Sequence, residues 1–244
     1  MASGLQGRRA LVTGGGTGIG LACAAALAAA GARVTVFGRR EAPLRAAVDS
    51  GRAHDVMVGD VRSPKTTRDV EILVNAAGVA RSAPFLRSDD ALWREMLDIN
   101  LMGAVAMTRA VLPGMLERRA GRVIHVASTA SLRGYAYTAA YAASKHALLG
   151  FVRSLALETA EKGVTVNAVC PGFTDTGIVA ESVANIVART GRSEAEAAAE
   201  LAKFNPQKRL VRPEEVAAAV LFLAGDAAAA VNGQAIAVDG GETQ

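Results

Sequence analysis

Short runs of apolar, largely β-branched residues alternate along the chain with longer alanine-rich stretches of helical pattern. The seven runs lie at residues 10–13, 33–37, 55–59, 72–75, 123–128, 164–169 and 235–238. Strands that are apolar throughout, rather than alternating with polar residues, are typical of a parallel sheet covered by helices on both faces. The pattern therefore predicts an α/β fold with a doubly wound, seven-stranded parallel sheet.

The chain is predicted to form one domain, residues 1–244. It is 51% hydrophobic and 20% charged, it is long enough to bury one full core, and no shift in composition marks a second unit. Helices are predicted at 18–30, 92–119, 141–161 and 214–223. The stretch 174–208 also has helical pattern and follows the sixth strand, beyond the strand ends where open α/β sheets bind ligands. We expect it to be a substrate-covering lid, with a structural cap as the alternative.

Composition and charge argue against several classes of partner. The formal net charge of +4 comes from scattered basic residues, and only 4% of residues are aromatic, so no nucleic-acid surface is predicted. The longest apolar stretch, 21–30, is shorter than the ~20 residues of a membrane span. The N-terminus lacks the apolar core of a signal peptide. A cytoplasmic protein without a membrane partner is the expectation.

No metal site is predicted. His54, His125 and His146 lack cysteine or carboxylate companions at ligand spacing. Cys23 and Cys170 have neither zinc nor redox spacing, and we expect two buried thiols.

A glycine-rich turn, TGGGTGIG at residues 13–20, connects the first strand to the first helix. This arrangement presents backbone N–H groups and the positive end of a helix dipole to phosphate, and the missing side chains let a pyrophosphate approach closely. A dinucleotide is predicted here, with a tight structural turn as the alternative. The residues expected to contact it are Gly14, Gly16, Thr17, Gly18, Ile19 and Gly20.

The second strand ends in Phe37-Gly38-Arg39-Arg40. An acidic residue at this corner would bind the ribose 2′-hydroxyl of NAD, whereas a guanidinium can bind the 2′-phosphate of NADP with two hydrogen bonds. Arg39 and Arg40 therefore favour NADP. NAD remains an alternative, because the two arginines could also be a solvated pair at a helix start.

Tyr141 and Lys145 are four residues apart on a predicted helix and project from one face. An ammonium near a phenol stabilises the phenolate and lowers its pKa, which suits the phenol to acid/base chemistry. A tyrosine and a lysine at this spacing are, taken alone, more often two exposed side chains than part of a catalytic site. Ser128, however, follows a strand and is predicted at the same sheet edge as the glycine turn, where its hydroxyl could bind a substrate carbonyl.

With these residues in place, the chain resembles the short-chain dehydrogenase/reductase family from end to end. The matching segments are TGGGTGIG, Asp60-Val61, NAAG at 75–78, Asn100, Ser128, YAASK at 141–145, Pro171-Gly172 and the closing GQAIAVDGG. The resemblance implies a single-domain Rossmann fold, an NAD(P) cofactor and a homotetramer built partly from helices 92–119 and 141–161.

The resemblance also implies roles for the matched residues. Tyr141 would be the general acid/base, Lys145 would lower its pKa and hold the nicotinamide ribose, and Ser128 would orient the substrate carbonyl. Asn100 would hold a water molecule that links Lys145 to bulk solvent. Residues expected at the cofactor, besides those of the glycine turn and the arginine pair, are Asp60, Val61, Asn75, Ala76, Gly78, Tyr141, Lys145, Pro171, Gly172, Thr174 and Thr176. Asn100 and Asp60 could instead satisfy only local backbone groups.

One segment departs from the family pattern. Only residues 61–71 separate the third strand from the fourth, and a parallel crossover normally needs about a dozen residues or more. The crossover helix should therefore be reduced to a turn or to extended chain, which thins the cover of one sheet face and puts the adenine contacts of Asp60 and Val61 in question.

The leading hypothesis is an NADPH-dependent oxidoreductase that interconverts a ketone and a secondary alcohol. The lid combines apolar with basic residues, and its tail is similar to that of 3-oxoacyl thioester reductases, whose substrates are carried on coenzyme A or an acyl carrier protein. A simple secondary-alcohol or hydroxy-acid dehydrogenase is the alternative. From other classes, a non-catalytic NADP-sensing protein would not need the proton-transfer pair, and an S-adenosylmethionine methyltransferase would need an acidic residue at position 38 or 39.

Overall fold

The computed structural model describes residues 4–65 and 67–244, with every side chain in those ranges except that of Arg189. Seven parallel strands form one sheet in the order β3-β2-β1-β4-β5-β6-β7. The strands are β1 (Arg9–Thr13), β2 (Arg33–Gly38), β3 (Asp55–Val58), β4 (Ile72–Asn75), β5 (Gly121–Val126), β6 (Val164–Pro171) and β7 (Ala235–Val238). The seven-stranded parallel sheet predicted from the sequence is confirmed.

Helices cover both faces of the sheet, which makes the fold doubly wound as predicted. They are α1 (Gly18–Ala29), α2 (Glu41–Asp49), α3 (Asp90–Leu97), α4 (Gly103–Arg118), α5 (Ala139–Thr159), α6 (Gly177–Thr190), α7 (Glu194–Ala202) and α8 (Pro213–Ala224). One core lies between the sheet and α1, α2 and α8, and the other between the sheet and α4 and α5. Successive residues of β1 alternate between the two cores, with Val12 in the first and Leu11 in the second.

The predicted helix 92–119 is interrupted in the structure. α3 passes through a π-helical turn, Asp98–Met102, before α4 begins. The whole stretch Asp90–Arg118 is long and apolar enough to cross a membrane by length and composition alone. However, 50% of its most apolar window is buried inside the fold, and Met107 and Val111 pack in the core under the sheet. It is therefore placed as a core helix.

The crossover from β3 to β4 runs as turns and extended chain, and its described residues form no helix. It packs directly on α4: Thr67 N donates to Ala110 O at 3.1 Å, and the Arg118 guanidinium donates to Arg68 O and Val70 O at 2.7 Å each. Gly114 permits this approach, because a Cβ there would lie 2.0 Å from Arg68 O. The shortened crossover expected from the sequence is thus what the described residues form.

The insertion expected to be a lid contains α6 and α7, which pack against each other. Ser193 caps α7 through a reciprocal capping box with Glu196. The two ends of the insertion are held together next to the end of β6. There Val211 N donates to Phe173 O at 2.8 Å, and Asp175 N donates to Val211 O at 2.9 Å. The insertion is therefore anchored beside the carboxyl edge of the sheet.

Candidate active site

A cleft of about 600 Å³ lies along the carboxyl edge of the sheet. The expected cofactor residues that line it are Gly14, Gly16, Thr17, Gly18, Ile19, Gly20, Arg39, Arg40, Asp60, Val61, Ala76, Gly78, Tyr141, Lys145 and Thr176. These residues come from six separate segments. They meet because parallel strands end at the same edge, and the cleft lies beside the point where the strand order reverses between β1 and β4.

The glycine turn is shaped for close approach of a ligand. Gly14 has a φ of +65°, a conformation that residues with a side chain rarely adopt. A Cβ on Gly20 would lie 2.3 Å from Gly14 O, so the turn can fold onto α1 only without that side chain. The Thr13 hydroxyl accepts from Ala76 N and Ala77 N at 3.1 and 3.0 Å, which fixes the end of β1 against the chain leaving β4. Open backbone at a helix N-terminus fits the pyrophosphate of a dinucleotide.

Three polar side chains lie close together here: Tyr141 and Lys145 line the cleft, and Ser128, which is not among the lining residues, is hydrogen-bonded to Tyr141. Tyr141 and Lys145 lie one turn apart near the start of α5, and Ser128 follows β5. Lys145 Nζ donates to Val126 O at 3.0 Å and lies 5.9 Å from the centroid of the Tyr141 ring. The Ser128 hydroxyl accepts from Ala130 N at 3.0 Å, which leaves its own hydrogen available to the Tyr141 hydroxyl beside it or to a substrate oxygen.

Burial dominates the ionisation of this group. It lowers the pKa of Lys145 to about 8 and raises the pKa of Tyr141, and the hydrogen bond from Ser128 only partly opposes the effect on the phenol. The sequence analysis expected Lys145 to lower the pKa of Tyr141; in the structure, loss of hydration is the larger influence. Lys145 can therefore exchange a proton near neutral pH.

Asn100 lies in the π-helical turn and is buried. Its Oδ1 accepts from Val79 N at 2.9 Å and its Nδ2 donates to Val79 O at 3.0 Å, so one side chain holds both backbone groups of the residue after Gly78. The same Nδ2 donates at 3.1 Å to Ser144 Oγ, which donates at 2.7 Å to Tyr141 O. Asn100 thus connects the cleft rim to the catalytic helix. Ser144, which makes this connection, was not singled out by the sequence analysis.

Known proteins match almost the whole chain. A family model described as enoyl-(acyl carrier protein) reductase matches residues 14–243. The 3-oxoacyl-acyl-carrier-protein reductase FabG of Vibrio harveyi is 38% identical over 251 residues, 97% of this chain and 98% of that protein. D-beta-hydroxybutyrate dehydrogenase of Cupriavidus necator is 37% identical over 253 residues, again 97% and 98% of the two chains. The chain belongs to the short-chain dehydrogenase/reductase family.

A solved structure of this family agrees with the fold. A single-residue variant of actinorhodin polyketide ketoreductase, crystallised with NADPH, has a TM-score of 0.91 at 38% identity, with 98% of each chain covered. The family resemblance stated from the motifs is confirmed. The protein is an NAD(P)-dependent oxidoreductase that acts on keto or CH–OH groups.

Not every residue that the family motifs assigned to the cofactor lines the cleft. The Asn75 amide points into the α4 side of the core, where its Nδ2 is 3.3 Å from both Thr108 Oγ1 and His125 Nδ1. Pro171, Gly172 and Thr174 lie at the carboxyl end of β6, outside the residues that line the cleft. Their cofactor contacts stay predictions.

The structure adds residues to the cleft that the motifs did not indicate. Arg62 and Arg81 bring further positive charge, and Ile99, Ile178 and Glu181 contribute from other segments. Arg62 could have been predicted as a cleft residue, because it is positively charged and directly follows Asp60-Val61 in the sequence. No local pattern could have indicated Ile99 or Glu181, because only the tertiary fold brings their helices to the cleft.

The insertion contacts the cleft and the catalytic loop. Ile178 and Glu181 of α6 line the cleft, and Glu181 Oε2 is 3.5 Å from Arg81 Nη1 on the opposite rim. Phe173 and Phe204, close to the two ends of the insertion, stack with ring centroids 5.4 Å apart. Tyr135, in the loop between Ser128 and α5, packs edge-on against both rings. That the insertion covers a bound substrate stays a prediction.

Proposed function

We propose that the protein catalyses the reversible reduction of a 3-oxoacyl thioester to the 3-hydroxyacyl thioester with NADPH. The observation that carries this proposal is that Tyr141 and Lys145 line the same cleft as the glycine turn and the arginine pair, with Ser128 hydrogen-bonded to Tyr141. Such a cleft can bind a dinucleotide along its length and present its nicotinamide to a carbonyl beside the tyrosine.

The chain's own residues supply the proton transfer. The bound cofactor supplies the hydride. Tyr141 gives its phenolic proton to the substrate oxygen, and the free hydroxyl hydrogen of Ser128 donates to the same oxygen, which stabilises the negative charge that develops there. Lys145, with a pKa of about 8, returns a proton toward Tyr141. Asn100 holds the cleft rim against α5 and so keeps the path to solvent in place.

Two arginines support NADP over NAD. Arg39 and Arg40 line the cleft at the end of β2, both are exposed, and neither has a salt-bridge partner within residues 4–65 and 67–244. Unpaired guanidinium groups of this kind suit a phosphate that adds two negative charges. The NADPH in the actinorhodin ketoreductase structure is consistent with this preference.

The substrate assignment draws on the lid and on the relatives. Ile178 of the insertion lines the cleft, Phe173 and Phe204 stack against each other beside Tyr135, and the insertion also carries exposed Lys203 and Arg192, both paired with Glu200. Apolar side chains together with basic residues would suit an acyl chain on a phosphorylated carrier. The FabG relative is named as a reductase of such a substrate, a 3-oxoacyl group on an acyl carrier protein. Another relative is named D-beta-hydroxybutyrate dehydrogenase, so a free hydroxy acid is the second candidate substrate.

The test follows the absorbance of the reduced nicotinamide with four substrates: acetoacetyl-CoA, acetoacetate, cyclohexanone and crotonyl-CoA. We expect turnover of acetoacetyl-CoA with NADPH. If only acetoacetate is turned over, the substrate is a hydroxy acid rather than a thioester. If only cyclohexanone is turned over, the protein is a simple alcohol dehydrogenase. Crotonyl-CoA separates reduction of a C=C bond, which the family model's description names, from reduction of C=O. Cofactor binding without turnover of any of the four substrates would indicate a non-catalytic NADP-sensing protein.

Two further properties belong to this proposal. We propose a homotetramer formed through the outer faces of α4 and α5, and a cytoplasmic location. An exposed row on α5, which includes Ala143, Gly150 and Leu157, supports the first. Fractionation of cells, with the protein followed by antibody, tests the second.

A further inference from the structure

The carboxylate at the end of β3 is fully engaged by a neighbour two residues away. Asp60 Oδ1 accepts from Arg62 N at 2.9 Å and from Arg62 Nε at 3.0 Å, and Asp60 Oδ2 accepts from Arg62 Nη2 at 2.7 Å. Both residues line the cleft. A two-point contact between a guanidinium and a carboxylate is a strong form of this pair, because both planar groups are held in register.

Asp60 also feels the charge of Arg39, the first arginine after β2. The guanidinium groups of Arg62 and then Arg39 hold the pKa of Asp60 at about 2, with Arg62 the larger influence. The two residues follow the ends of adjacent strands, where Gly38 of β2 pairs with Val58 of β3, and both line the cleft, yet they form no salt bridge in the described part of the chain. If Arg62 were absent, the free carboxylate would attract Arg39 and would also repel an incoming phosphate.

We propose that Arg62 is a cofactor-specificity residue that acts through Asp60: by occupying that carboxylate it leaves Arg39 available to the 2′-phosphate of NADP. The inference rests on the NADP preference proposed above. Arg62 is in this sense a positioning residue, because the group it contacts is a protein side chain rather than the cofactor.

A direct contact between Arg62 and the phosphate is the competing explanation, and a double substitution separates the two. If Arg62 acts through Asp60, removal of the carboxylate charge should make Arg62 unnecessary. If Arg62 binds the phosphate itself, Arg62→Gln should weaken phosphate binding as much in the Asp60→Asn background as in the wild type. Asp60→Asn suits this purpose, because an amide oxygen can still accept the hydrogen bond from Arg62 N that shapes the turn.

The experiment measures binding of two unreactive cofactor fragments, 2′,5′-ADP and 5′-AMP, by isothermal titration calorimetry. Arg62→Gln should weaken 2′,5′-ADP about fivefold, the scale of one exposed charge interaction, and change 5′-AMP less than about twofold. In the Asp60→Asn background, Arg62→Gln should change the affinity for 2′,5′-ADP by less than about twofold. Arg68→Gln is the matched control, because Arg68 lies on the same crossover and faces Glu117 instead of the cleft.

The outcomes are distinct. A loss of 2′,5′-ADP affinity on Arg62→Gln that is as large in the Asp60→Asn background as in the wild type, or an equal loss for both fragments in Arg62→Gln, overturns the inference and leaves the NADP preference standing. A wild-type protein that binds 5′-AMP as tightly as 2′,5′-ADP overturns the NADP preference itself, and the role of Arg62 with it.

Discussion

Lys145 combines deep burial with the role in proton transfer proposed above. Its side chain is 5% exposed and makes one hydrogen bond, to Val126 O. Burial of an ammonium group costs free energy, and the protein bears that cost as a pKa lowered to about 8. A group with this pKa can both hold and release a proton under physiological conditions, which a surface lysine cannot. The proposed proton transfer by Lys145 would therefore come at the expense of stability.

The acid/base role of Tyr141 predicts the effect of its removal. Tyr141→Phe keeps the ring and deletes only the hydroxyl, so turnover of the active substrate should fall by about 100-fold or more, the usual contribution of a positioned proton donor. NADPH binding, measured by fluorescence of the reduced nicotinamide, should stay within about twofold. Tyr137→Phe, which deletes the same hydroxyl from a tyrosine that is 67% exposed and does not line the cleft, is the matched control. Substantial residual turnover in Tyr141→Phe would remove this residue from its role.

The ionisation of Lys145 predicts a pH dependence of stability. Between about pH 8 and 10.5 the folded protein has released a proton that the unfolded chain retains, so the free energy of unfolding should rise with pH. Lys145→Met lacks this group. The stability difference between wild type and Lys145→Met should therefore shift by about 2 kcal/mol in favour of the wild type from pH 7 to 9.5. Urea denaturation at several pH values measures it, and a difference independent of pH would contradict the buried charge.

At the scale of elements, the sequence predicts some features and not others. The strand, glycine turn and α1 were predictable because each residue type serves a local requirement of that turn. The short crossover was predictable because eleven residues cannot hold a full helix between parallel strands. The π-helical turn at Asn100 was not, because one shifted hydrogen bond leaves the apolar periodicity of 92–119 almost unchanged.

The contact between the crossover and α4 predicts a stability effect. Gly114→Ala would place a Cβ 2.0 Å from Arg68 O, and the crossover cannot withdraw without breaking the bonds from Arg118. We expect a loss of about 1–3 kcal/mol, as for overpacking elsewhere. Gly134→Ala is the control, because nothing lies within 4 Å of its Cβ and its φ is ordinary. Equal stability of the two variants in urea denaturation would show that the crossover does not pack as described.

At the scale of the whole molecule, topology explains which functional predictions the sequence could support. Residues as distant as Gly14 and Tyr141 could be placed in one cleft because parallel strands share a carboxyl edge. The sequence predicts less reliably in which direction the side chain of a residue at the end of a strand points. Asn75 belongs to a family motif, yet its amide faces the core and its bond partners come from α4 and β5. The same limit applies to the lid, whose contacts with the cleft depend on the packing of α6.

The outer face of α5 predicts how copies of the chain associate. Leu157 is 82% exposed, and small residues such as Ala143, Ala147 and Gly150 continue the same face at helical spacing, so another helix could approach closely. We expect light scattering to give a mass near four times 25.0 kDa for the wild type. Leu157→Glu should reduce it, because a symmetric interface would bury repelling carboxylates. Leu86→Glu, at a leucine 95% exposed on a different surface, should leave the mass unchanged. A wild-type monomer, or a tetramer indifferent to Leu157→Glu, would exclude this face as the interface.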